Sequence, residues 1–83
     1  MSPVFRREDG YVFKIFSNEE DRVHIHVIKA EKEAKFWLEP NIELADNFGF
    51  SSKEINIIKN KLTEYASDFK HKYAIHVGKR VND

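Results

Sequence analysis

His24 and His26 stand two residues apart inside Val23–Ile28, where every other side chain is β-branched. Imidazole is the side chain whose ordinary titration falls near neutral pH, so a pair of them raises the question of chemistry. On a strand, residues i and i+2 share a face. Two rings on one face can approach one metal ion, or serve as acid and base, as in metal-free ribonucleases with paired histidines. A catalytic zinc keeps three protein ligands plus water. The local sequence holds no third ligand, and only folding would bring His76, Glu33 or Asp9 close. A plainer reading is two half-exposed histidines hydrogen-bonded to their neighbours on a sheet. A motif without its full geometry favours that reading, or a binding role, over catalysis. No metal and no cofactor is therefore expected.

Lys35 and Trp37 form a second candidate group. With Phe16 they would make a stacking platform for single-stranded nucleic acid, with Lys14 and Lys35 on the phosphates. The competing reading has Trp37 packing on the second face of the sheet, under the segment 42–50. The chain carries 14 Lys+Arg and 14 Asp+Glu, so no overall charge draws it to nucleic acid. Arg6, Arg7 and Tyr11 flank the first turn. A nuclease would use Arg6 on a phosphorane, but charged residues on an edge strand also guard against unwanted pairing.

The elements that must position these residues fall into two halves. Val4–Arg7 and Tyr11–Ser17 read as strands around Glu8-Asp9-Gly10, and an Asp-Gly between apolar runs is a strong hairpin signal. Val23–Ile28 and Ala34–Leu38 read as two more strands, separated by the charged turn Lys29–Glu33, with Pro40 as a stop. Ser17–Arg22 is a polar loop, and Ile42–Ala45 a brief strand or turn. The second half reads as one helix over about 51–73. Ser51 and Glu54 have capping-box spacing, and Phe50 and Ile55 the spacing of a hydrophobic staple. Ile55, Ile58, Leu62, Tyr65, Phe69 and Tyr73 then recur every three or four residues. Ala74–Val77 is a candidate last strand, and the rest of the tail to 83 a frayed end.

Period-two alternation sorts the strands into two faces. Tyr11, Phe13, Ile15, Val23, Ile25, Val27, Ala34, Phe36 and Leu38 form an almost wholly apolar face for the helix. Lys14, Phe16, His24, His26, Lys35 and Trp37 gather on the other, an aromatic and basic surface. Phe16, Ile28 and Trp37 would leave an apolar patch there, which must be covered by loop, tail or partner. This is the expected working surface.

At 83 residues the chain is expected to be one domain, 1–83, with a thin core and no cysteine to staple it. No apolar run spans a membrane and Met-Ser-Pro-Val lacks the apolar stretch of a signal peptide, so a soluble cytoplasmic protein is expected.

The blocks Val4-Phe5-Arg6, Gly10-Tyr11-x-Phe13, His24-Ile25-His26-Val27, Ala34-Lys35-Phe36-Trp37-Leu38-x-Pro40, Leu44-Ala45, Gly49-Phe50 and Glu54-Ile55 carry a resemblance over about 3–73. In order and spacing the chain resembles a family of small bacterial proteins known as a domain of unknown function, number four thousand one hundred sixty. It departs at Arg22-Val23, where members usually carry two prolines, and at His71-Lys72-Tyr73, where a Trp and an aromatic are common. The resemblance implies an α+β fold and a partner more than a reaction. Members are often encoded beside another small protein, and some are suspected parts of toxin–antitoxin pairs.

The expectation is thus an α+β domain: an antiparallel meander of three to four strands over about 3–45, then one long amphipathic helix packed on one face. Its function is expected to be a protein-binding or regulatory one, through a protein partner or a homo-oligomer, with no membrane role. A small ribonuclease-type toxin using His24 and His26, or a weak metal site, is the alternative.

Overall fold

The computed structural model describes residues 4–16 and 22–81, with side chains as far as His76. Among these residues five strands come first, β1 Val4–Glu8, β2 Tyr11–Lys14, β3 His24–Lys29, β4 Lys32–Trp37 and β5 Glu43–Phe48; one helix, α1 Ser52–Val81, follows. The strands form a single antiparallel meander in the order β1-β2-β3-β4-β5. The fold is α+β, as expected, with five strands where three to four were anticipated. The added strand is β5, Glu43–Phe48, where the sequence offered only a brief strand or turn over Ile42–Ala45. The helix also differs from its expected end near 73: it continues to Val81, and Ala74–Val77 is helical rather than a strand. Part of the polar loop, 17–21, lies outside the described residues, as do 82–83.

Local chemistry explains the joints. Asp9 and Gly10 both have positive φ, 53° and 84°, the backbone of the tight turn that joins β1 to β2. Ala30 also takes a positive φ, 55°, in the short turn between β3 and β4. The helix start matches its sequence pattern: the Glu54 N–H donates to Ser51 Oγ at 3.2 Å, and the Ser51 N–H donates to Glu54 Oε1 at 3.0 Å. Such a cap stabilises a helix by about 1 kcal/mol. Just upstream, Asn47 pins the turn by accepting from the Phe50 N–H and donating to the Phe50 carbonyl.

The core lies between α1 and one face of the sheet. Phe13, Ile25, Val27 and Phe36 face Ile58, Leu62 and Phe69, and all seven are fully buried. Burying a side chain of this size contributes roughly 1.5–3 kcal/mol. Phe69 packs against Phe13 at 5.4 Å and Phe5 at 5.9 Å between ring centroids, joining β1 and β2 to the helix.

Charged groups clamp the rim. Lys61 Nζ lies 2.7 Å from both Glu8 and Asp9, and the Tyr65 hydroxyl donates to Glu8. Lys32 Nζ reaches Glu54 at 2.8 Å. Hydrogen bonding from Lys61, then from Tyr65 and Arg6, holds the Glu8 carboxyl down at about 2. Lys32, with the Ser51 N–H, holds Glu54 down at about 2 as well.

Two outcomes follow. A carboxylate with a depressed folded pKa stabilises fully above its unfolded value and loses that contribution as pH falls through the folded one. Thermal unfolding should therefore show stability lost between about pH 4.5 and 2, with a shallower loss in Glu8→Gln, which should also be less stable at neutral pH. Separately, Gly49 has φ 105°, and an added Cβ would meet Lys32 Cγ at 3.2 Å. Gly49→Ala should lower stability by about 1–3 kcal/mol in urea unfolding.

Candidate functional site

Register sets the second face of the sheet. Paired residues share a face, so Lys14, His26, Lys35 and Asp46 form one row across β2 to β5. Val12, Ile28, Glu33 and Phe48 form the next row. His24, Trp37 and Glu43 form a third. Phe16, just past β2, packs on His26 with ring centroids 4.4 Å apart. The six residues assigned from alternation thus come together on the side of the sheet turned away from the core.

Their exposure differs from expectation. His24 is 0% and His26 7% exposed, so the histidines are not half-exposed surface groups. A ring of aromatic side chains encloses them. Trp37 stands edge-on to His24 at 6.1 Å, and Tyr73, reaching over from α1, does so at 5.6 Å. The two imidazoles are themselves edge-on at 5.4 Å. His24 Nδ1 lies 2.8 Å from the Arg22 carbonyl and so carries the proton it donates there. The Tyr73 hydroxyl donates to the same carbonyl at 3.3 Å. The Glu33 carboxylate lies 3.4 Å from His26 Nδ1.

Trp37 is half-buried and its ring is already engaged by cations. The Arg22 guanidinium lies 4.2 Å and Lys35 Nζ 4.6 Å from its centroid. Arg22 is anchored in turn by Glu43 at 3.5 Å and by the Glu39 carbonyl. Lys14 Nζ sits 5.1 Å from the Phe16 ring. These cation–π contacts bind the surface into a layer of alternating rings and cations.

Among the described residues, no three His, Asp or Glu side chains gather closely enough to hold a metal ion. Of the possible third ligands, Glu33 does approach His26, whereas Asp9 is bound to Lys61. Arg6, the other nuclease candidate, lies 3.9 Å from the Tyr65 ring and on Glu8, on the helix side of the sheet. No helix among the described residues is long and apolar enough to cross a membrane.

Sequence reasoning missed Phe48, which is 66% exposed and stands in the same row as Val12 and Ile28, both half-buried. The available signal was Gly49-Phe50 with the Ser51 cap behind it, which marks the end of whatever precedes.

A family model described as a domain of unknown function (DUF4160) matches residues 10–74. No curated protein and no solved structure matches the chain.

The burial of His24 is directly testable. His24→Ala would leave a cavity among Trp37, Tyr73 and His26, and should lower stability by about 2–4 kcal/mol in urea unfolding; a change within about 0.5 kcal/mol, as at an exposed site, would show the ring to be at the surface.

Proposed function

The chain belongs to the DUF4160 family, and for it we propose a protein-binding or regulatory role rather than a catalytic one, of the kind served by one member of a toxin–antitoxin-like pair. The observation that carries this reading is the row Val12, Ile28, Glu33 and Phe48, three of whose four side chains are apolar. It lies on the face that α1 leaves open, with Phe48 two-thirds exposed. An apolar aromatic held open on a rigid sheet and rimmed by charges has the make-up of a protein contact. An acid–base role would need rings within reach of a substrate. His24 is instead fully enclosed and bonded to the Arg22 carbonyl.

The test is site-specific photo-crosslinking in the cell that makes the protein. Phe48→p-benzoylphenylalanine should give discrete protein adducts, while Asn56→p-benzoylphenylalanine, on the exposed face of α1, should not. Equal labelling at both positions, or none at 48, removes this reading.

A further inference from the structure

The open face has an electrical direction. On its β1–β2 side stand Arg7 and Lys14; on its β4–β5 side Glu33, Glu43 and Asp46 outnumber Lys35 and the Arg22 that pairs with Glu43. Resting on the reading of this face as a protein-binding one, we propose that its occupant is a second copy of this chain. The two sheets pack face to face about a two-fold axis that runs along the strands, between β3 and β4.

Charge selects that axis. A two-fold contact uses the same patch on both copies, so the patch must complement itself. An axis lying across the strands would set each strand on its own copy, and where it follows the row from Lys14 to Asp46 it would set Lys14 over Lys14 and Asp46 over Asp46. Like charges brought together in this way are strongly disfavoured. An axis along the strands, between β3 and β4, sets β2 over the partner copy's β5 and β3 over its β4. The row that begins at Lys14 and ends at Asp46 then runs opposite to its own copy. Each Lys14 meets an Asp46, and the contact occurs twice. In the next row each Val12 meets a Phe48, which places the most exposed ring of the face against an apolar neighbour, while the half-buried Ile28 and Glu33 meet beside the axis.

Size is compatible as well. Strands spaced about 4.8 Å apart and about six residues long give a footprint of roughly 20 by 20 Å per copy. The buried surface is then on the order of 1,000 Å2, at the lower end of specific interfaces. Assembly should accordingly depend on concentration rather than being permanent.

Sedimentation velocity on the purified chain, from micromolar to millimolar concentration, should show a monomer–dimer equilibrium. Lys14→Glu and Asp46→Lys, each alone, should weaken the dimer by about tenfold or more. The double variant should return to within about threefold of the original, because the pair is restored with its signs exchanged. Phe48→Ser should also weaken it, and circular dichroism should show all four variants folded. A monomer at every concentration overturns the proposal, as does a dimer indifferent to these changes or a double variant no better than the singles. The cross-linking at position 48 separates the failures. Adducts of twice the chain's mass support the second copy. Adducts to a different protein overturn the second copy and leave the binding role standing, and no adduct overturns both.

Discussion

One helix about 10–12 Å across lies over a sheet about 19 Å wide between its outer strands. That mismatch governs the rest of the structure. Under the helix axis the seal is complete, and Phe13, Ile25, Val27 and Phe36 are fully buried. Toward β1 the layer is closed by Phe5 against Phe69 and by the Glu8–Lys61–Tyr65 network. On the other side, the Lys32–Glu54 pair and the buried ring of Phe50 bridge the start of α1 to β4. At β5 the cover runs out. Leu44 pairs with Phe36 on the helix side, yet it is 39% exposed where Phe36 is sealed. Long polar side chains suit the rim because their stems pack while their charged ends stay near water.

The same arithmetic leaves the second face without a helix, and the chain closes only part of it. Phe16, Trp37 and Tyr73 wrap the histidine end, and Tyr73 links it to α1 through the Arg22 carbonyl. The row of Val12, Ile28 and Phe48 receives no comparable cover among the described residues. The imidazoles, the first residues to suggest chemistry, belong to the closed part. The side chains that suggest contact belong to the open one.

How far this was readable depends on whether a feature has a local cause. The Asp9-Gly10 turn, the Ser51–Glu54 cap and the helix stripe each arise from residues within a few positions of one another, and each stands in the structure as read. Alternation likewise assigned Lys14, Phe16, His24, His26, Lys35 and Trp37 to one face. Strand β5 escaped because the register shifts between its pairings to Lys35 and Phe36, with Ala45 as the extra residue. The bulge breaks the period of two, so Glu43, Asp46 and Phe48 share a face without sharing parity. Asp46 and Asn47 are also poor strand formers. The helix end was misjudged because the apolar stripe was followed only to Tyr73 and Ala74–Val77 has the composition of a strand, yet α1 runs on to Val81. The burial of the histidines was illegible for a different reason: alternation gives the face of a residue, whereas its cover comes from Tyr73, 49 residues away.

The cover also bears on which class of partner suits the surface. A nucleic-acid platform needs a free aromatic face and cations directed outward to phosphates. Trp37 carries Arg22 and Lys35 over its ring, and Arg22 is further held by Glu43. A base stacking on Trp37 would have to displace a cation from an existing contact, and the nearby carboxylates of Glu43 and Asp46 would repel its phosphates. Phe48 has the open ring, and it stands at the end of β5, paired with Glu33, in an acidic and apolar setting. Apolar surface with charges of both signs at its margins complements another protein surface better than a polyanion.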